Sequence, residues 1–392
     1  MDLIPLSPID HVFIGDSAYP INFLFVFDGT LDFTNLEKSL RKAILKFQPV
    51  SSKLQKTDDQ SYAFKLGPEG CTFIKTQQDS EPDPNQIPSL YPFLDSVDTV
   101  EGEPLTRIKL THTPTQSLLG VSISHALVDG YSYFSFLSAW AKETRDEIYP
   151  LPDHRRHLLQ PTKKRSETPI DAIALSQSGG FSYSEKIRIR VPPEKLKWEW
   201  LHLPKAELDA LSREAKSTAE MRLTQNDLIT AFLWKKYGPL WAPSREASCS
   251  LVCAYDYRRL HPEVSRLYFG NAVVESLLKL KSEELARIPL GKLATLIHES
   301  VKAVDLQTVN ASLESLAQLR AERGLISMEH IHVSDPESGF LVTNLSRMPV
   351  DELDFGKGPP SQFRILTPTP RTAIVLPDSD GVLIQICGPI AA

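Results

Sequence analysis

The chain is short of cysteine, and the four it has in 392 residues cannot supply a disulfide scaffold. Cys249, Leu251 and Cys253 alternate with Ser248, Ser250 and Val252, so buried thiols on a strand are expected rather than a metal pair. Positive charge is also scarce. Lys and Arg number 43 against 49 Asp and Glu, and the net charge of −6 disfavours nucleic acid or an anionic membrane as partner. Long apolar runs are missing too. The longest, Ile21 to Phe27, is interrupted by Asn22 and is far too short to cross a bilayer. The N-terminal MDLIPLSPID has neither a basic start nor an apolar core, so no secretory signal is expected. Cys387 does not stand fourth from the end, which excludes a prenylation box. The expectation is a soluble cytoplasmic protein. No glycine-rich phosphate loop or dinucleotide fingerprint occurs, and Gly120-Val-Ser122-Ile-Ser124 lacks the last glycine of a nucleophile elbow.

What is present is an ordinary globular composition, 41% hydrophobic and 23% charged. The length suits two or three domains. Proline is in excess, 30 residues, which points to long semi-rigid loops. Aromatic and branched residues predict a strand over 21–28. A helix follows at 35–47, with Thr34 and Glu37 as capping box. Strands are expected at 62–66, 71–76, 105–112 and 117–124, then a helix at 130–145. Residues 147–196 are proline-rich and aperiodic and read as an interdomain crossover. Its basic cluster (Arg155, Arg156, Lys163, Lys164, Arg165) reads as solvated surface, or else as an attractor for an anionic cofactor. The second half repeats the style. Strands are expected at 198–203, 247–257, 338–343, 361–367, 371–376 and 381–387. Helices are expected at 205–217, from Thr224 with Asp227 as its cap, at 289–304 and at 310–322. Strand and helix intermix without a regular βαβ rhythm, so the expected class is α/β: two domains with mixed sheets.

The sharpest local feature is GVSISHALVDG, residues 120–130. His125 falls where the strand ends, a place where a cleft exposes a side chain. Its unperturbed pKa suits a general base near neutrality. Ten His and 24 Asp give about 0.6 chance matches to His-x-x-x-Asp; requiring the following Gly lowers this to about 0.03. Asp129 reads as structural, capping the next helix or pairing with an arginine to hold His125. Ser124 adjoins His125 and would face the other way, so a Ser–His pair is not favoured. His330 and His332 have no third metal ligand in view and read as a surface pair.

Four ordered motifs then resemble the BAHD superfamily of coenzyme A-dependent acyltransferases, on the side of its fungal and bacterial members. They are SHALVDG with Phe136 and Trp140; LTQNDLITAFLW (223–234); YDYRRLHPEVSRLYFGNAVV (255–274); and TNLSRMPVDELDFGKGPP (343–360). LSPID (6–10) resembles the family's opening. The resemblance implies two similar-sized domains of the chloramphenicol acetyltransferase-like kind, with a channel between them. The first would span 1–175, completed by 353–373 crossing back. The crossover would be 176–197, and the second domain 198–352 with 374–392. It implies His125 as general base, with Asp129 paired to Arg258. Asp354, Gly356 and Gly358 would shape a structural loop. Acyl-CoA would be the co-substrate, with no permanent cofactor and no metal. A small-molecule acceptor would be the partner of a monomer. Lys235, Lys236 and Asn271 are candidates for CoA contact. Two departures stand out. Lys357 replaces a usual Trp, which should reduce packing locally. TNL replaces TSW at 343–345, leaving Thr343 or Asn344 as candidate hydrogen-bond donors to an oxyanion. The expected reaction is acyl transfer from acyl-CoA to a hydroxyl, less often an amine, without an acyl-enzyme. The alternatives are a carrier-protein-dependent condensation-type transferase or cyclase, and a non-catalytic binding protein.

Overall fold

A computed structural model describes residues 3–58, 60–161, 181–219 and 221–389. The first half supplies β1 (Ile21–Asp28), α1 (Phe33–Lys46), β2 (Cys71–Gln77), β3 (Thr106–His112), β4 (Gln116–Ile123) and α2 (Gly130–Thr144). In β1, Phe23, Phe25 and Phe27 join the main core with Phe134 and Trp140 of α2. Leu24 and Val26 point the other way, onto Ile87, Leu90 and Phe93. Both faces of the strand are therefore buried, which explains its nearly unbroken apolar run. Helix α1 starts earlier than the capping-box reading has it. Asp32 is the N-cap, accepting from the amides of Thr34 and Asn35, and Glu37 pairs with Arg41 instead.

The second half supplies β5 (Leu196–Leu203), α3 (Lys205–Lys216), α4 (Gln225–Trp241), β6 (Ser248–Asp256), β7 (Val273–Lys281), α5 (Ser282–Arg287), α6 (Leu290–Lys302), α7 (Leu306–Arg323) and β8 (Gly339–Asn344). Thr224 and Asp227 form the full capping box of α4. Then come β9 (Gln362–Ile365), β10 (Thr372–Asp378) and β11 (Gly381–Pro389). Apart from strands of two or three residues, two described strands escape the sequence reading: Ser52–Asp58 and β7. In both, charged residues interrupt the apolar pattern.

The first large sheet runs β9-β1-β4-β3-β2 and the second β7-β6-β8-β10-β11-β5. Each mixes parallel and antiparallel pairs: β2 with β3, β6 with β8 and β8 with β10 are parallel. Strand β9 thus belongs to the first sheet although its neighbours in sequence belong to the second. Cys249, Leu251 and Cys253 face the helices α4 and α6, buried among Trp234, Leu293 and Ile297. The opposite face carries a row formed by Thr343, Ile374 and Gln385, each directly beside the next. Gln385 accepts from the Ile365 amide at 3.3 Å and donates to its carbonyl at 2.7 Å. That face of the second sheet is therefore turned to the first. Trp198 and Trp200 of β5 pack on the Leu24–Val26 side of β1 and complete the contact.

The crossover is anchored wherever it is described. His330 Nδ1 bonds the Ser184 carbonyl at 2.9 Å and His332 Nε2 the Lys186 carbonyl at 2.8 Å. His332 is buried, so the pair is a backbone clasp and not a free surface pair. Lys163, Lys164 and Arg165 lie outside the described residues. Among the described residues no helix is long and apolar enough to cross a membrane, and no group of side chains is placed to hold a metal.

Gln385→Leu leaves the buried amide and carbonyl of Ile365 without partners. A loss of about 2–4 kcal/mol in urea unfolding is expected; an unchanged midpoint would mean the sheets are not coupled through this side chain.

Candidate active site

Strand β4 ends at Ile123, and the chain turns within six residues into α2. Ser124 makes the turn. Its hydroxyl bonds Thr99 Oγ1 at 2.9 Å and accepts from the Ala126 amide at 3.2 Å, while its carbonyl accepts from Leu127. It is engaged inside the protein and gives no nucleophile. His125 projects from this turn. Its ring stacks on Phe13, centroids 4.0 Å apart at 13°. Nδ1 is buried without a hydrogen-bond partner among the described residues. Burial holds the imidazole below the ordinary histidine value, so it is neutral at physiological pH.

Asp129 does not touch the ring. Oδ1 accepts from the Ser132 amide at 2.9 Å and caps α2. Oδ2 accepts from the Ala272 amide at 3.0 Å and lies 2.8 Å from Arg258 Nη1. Burial alone would raise this carboxyl; Arg258 and the two amides outweigh it, and the net shift is downward. Arg258 is itself saturated by Asp256, Ser132 and the carbonyls of Tyr268 and Gly270. The pair is a staple between the turn and the segment leading into β7.

A second buried set holds the turn from the other side. Asn271 Nδ2 donates to the His125 carbonyl at 2.7 Å and to Asp10 Oδ1 at 2.9 Å. Asp10 Oδ2 accepts from the Ser7 amide and from Arg156 Nη1, both at 2.8 Å. Arg156 Nη2 in turn donates to the Leu127 carbonyl at 2.5 Å. Arg156 is 2% exposed, which overturns its reading as solvated surface; its neighbour Arg155, paired with Asp153, is exposed and fits that description. Asn271 is likewise enclosed in this set, so it has no amide to offer CoA. Sequence reasoning missed Phe13, Asp10 and Arg156. The LSPID motif was the one signal pointing to Asp10.

Other candidates fall elsewhere. Lys235 Nζ caps the α5 end through the carbonyls of Ala286 and Ile288, at 2.9 and 2.5 Å, so it is not free for a phosphate; Lys236 is exposed. Asn344 donates to Asn226 Oδ1 at 2.6 Å and accepts from the Ser346 amide at 2.9 Å, tying β8 to α4. Thr343 is half-buried on the face turned to the first sheet. Leu345 reaches α2: a β-carbon at Gly130 would meet its Cδ2 at 3.4 Å. Asp354 Oδ1 accepts from the amides of Gly356, Lys357 and Gly358 at 2.7, 3.0 and 2.8 Å. Positive φ angles of 93° and 87° at Gly356 and Gly358 make that turn possible. Phe355 packs on Trp140, centroids 4.8 Å apart. Lys357 is exposed, so the lysine leaves no gap in the core. The thiols are inert: burial pushes Cys253 up to about 12.

The fold and this turn define an α/β acyltransferase architecture, and three comparisons fit it. The Transferase family model matches residues 2–389, and the chain belongs to that family, the BAHD superfamily of CoA-dependent acyltransferases. Shikimate O-hydroxycinnamoyltransferase of Nicotiana tabacum is 21% identical, over 85% of this chain and 78% of its own. Putrescine hydroxycinnamoyltransferase 1 of Oryza sativa is 26% identical, over 83% and 76%. The structure of F. sporotrichioides TRI101, complexed with coenzyme A and T-2, superposes with a TM-score of 0.75 at 16% identity, covering 99% of this chain and 95% of that one.

Arg156→Met strands the buried Asp10 charge and should destabilise the protein by about 3–5 kcal/mol in denaturant unfolding. Arg155→Ala, in an exposed pair, should leave the midpoint where it is. Equal effects would refute the assignment of Arg156 as clamp.

Proposed function

We propose that the protein transfers an acyl group from acyl-CoA to a hydroxyl of a small specialised metabolite, with His125 as general base. The single observation that carries this is the state of the imidazole. It is stacked on Phe13 and held by its backbone, burial keeps it below the ordinary histidine value, and no carboxylate among the described residues hydrogen-bonds its ring. Nδ1 is buried, and Nε2 takes the acceptor's proton. The freed alkoxide attacks the thioester carbonyl, and a tetrahedral oxyanion forms. Its collapse breaks the C–S bond, and CoA thiolate leaves with the proton from the imidazolium. Ester and free CoA are the products, and His125 returns to its starting form. Both substrates must be bound together, since Ser124 and the buried cysteines provide no acyl-enzyme. The oxyanion donor is Thr343, whose hydroxyl lies on the face turned to the first sheet; the Asn344 amide is already engaged by Asn226. Asp129, Arg258, Asp10, Arg156 and Asn271 position the His125 turn. Asp354, Gly356 and Gly358 shape a loop that carries no chemistry. The related enzymes named above act on shikimate and putrescine, and TRI101 was captured with coenzyme A; that range supports a CoA donor and leaves the acceptor to be found by assay.

The test is free-thiol release from acetyl-CoA with a broad panel of alcohols and amines. Acceptor-dependent release is expected, and its absence across the panel refutes the reading. His125→Ala should lower the rate about 10²–10⁴-fold while CoA still binds. The acid limb of kcat/KM should lie below the ordinary histidine pKa of about 6.5, because burial depresses the native value and activity needs the neutral ring. A limb above that value would show that a different group limits the reaction.

A further inference from the structure

Among the described residues almost every buried charged side chain has a partner; Glu275 has none. It lies in β7, is 6% exposed, and its Oε2 is buried without a hydrogen-bond partner among the described residues. Its direction follows from register. Glu275 is directly beside Ala254 of β6. The parallel register that sets Cys253 beside Val342 puts Ala254 beside Thr343 one residue on. Thr343 is beside Ile374, and Ile374 beside Gln385, which bonds the first sheet. Glu275 therefore shares the row that faces the first sheet, two strands, or about 10 Å, from Thr343. The residue between them, Ala254, is small and exposed, so nothing of that row fills the space. Asn271, which grips the His125 carbonyl, is four residues away along the same segment, at most about 14 Å.

An unpaired buried carboxyl costs several kcal/mol, and no cation of the described chain offsets it: burial is the sole influence on this group and pushes it well above the usual carboxylate range. We propose that Glu275 is an acceptor-recognition residue whose carboxylate receives a protonated amino group, carried by the acceptor away from the atom to be acylated. The proposal rests on the acyl-transfer reading for its place in catalysis, though the binding it requires does not. A cation entering here supplies the missing partner in a water-poor site. A neutral hydroxyl in the same place recovers only a hydrogen bond, so the site discriminates by charge. The net charge of −6 favours a cationic ligand over an anionic one on approach.

The test is calorimetric binding of 1,3-diaminopropane, 1,4-diaminobutane and the neutral 1,4-butanediol to wild type, Glu275→Gln and His125→Ala. At least one diamine should bind wild type and His125→Ala about tenfold more tightly than 1,4-butanediol, and Glu275→Gln should erase the preference. Neither Glu275→Gln nor Glu275→Leu should lose CoA affinity or melt below wild type, since neither removes a contact within the described chain; Glu275→Leu, which also removes the unpaired buried polar group, should melt higher. No diamine preference in wild type, or a preference that survives in either variant, overturns the proposal. Failure of thiol release with every acceptor, alongside a Glu275-dependent preference, removes the acyl-transfer reading and leaves the subsite standing. Thiol release without any such preference removes the subsite alone.

Discussion

The buried pair of Asp129 and Arg258 is the interaction on which the rest of the site depends. The residues are far apart in sequence and meet at 2.8 Å with almost no exposure. Two charges taken from water repay their desolvation only when every remaining hydrogen-bonding position is filled. Here they are. The carboxylate also takes the amides of Ser132 and Ala272, and the guanidinium also takes Asp256, Ser132 and two carbonyls. The consequence is geometric. The carboxylate that caps α2 is the same one that fixes the start of β7, so the His125 turn cannot shift against the second sheet without stranding a charge. An aspartate four residues from a histidine invites a dyad reading, but this one is fully engaged away from the ring.

A second ion pair acts on the same turn through its carbonyls. Asp10 and Arg156 reach it from the N-terminal segment and from the start of the crossover, and Asn271 joins them. The turn between Ser124 and Asp129 is short, and a buried turn must find partners for its backbone groups. Three of its carbonyls, at His125, Ala126 and Leu127, are taken by Asn271 and Arg156. The imidazole is thus aimed by polar contacts to its backbone and by Phe13 against its face, and Nδ1 has no hydrogen-bond partner among the described residues.

This division explains what could be read from the sequence. The periodic elements, the strand end at His125, the capping box at Thr224 and the glycine-dependent turn after Asp354 are local, and their residue types reveal them. The return of β9 to the first sheet came with the family resemblance, because periodicity carries no trace of which sheet a strand joins. Arg156 could not be separated from Arg155 by sequence: the two are adjacent, chemically identical, and differ only in which one the three-residue bend before Leu158 turns inward. Asn271 and Lys235 were misread for the same reason. A polar side chain looks available until the carbonyls that occupy it are seen, and those belong to segments remote in sequence. Strand β7 was missed because Glu275 breaks its apolar pattern, and that break is the feature that sets the strand apart.

Burial of the histidines links catalysis to stability. His125 and His11 are both held below the ordinary value by desolvation, His11 down to about 3 with Arg320 beside it. A histidine whose native pKa is depressed binds its proton more readily when unfolded, so its contribution is present above about pH 6.5 and is lost as pH falls below that. Asp129 acts in the same direction lower down, since its depressed carboxyl stabilises the fold above the usual carboxylate range and ceases to do so as it protonates. The low-dielectric setting that holds His125 below the ordinary histidine value is therefore the setting that makes its protonation costly to the fold. A histidine placed in water would titrate freely and leave stability untouched; one placed on Phe13 behind a clamp of buried charges couples titration to the fold, so with His125 as the base we propose, the working range of the enzyme and the stable range of the fold share an acid boundary.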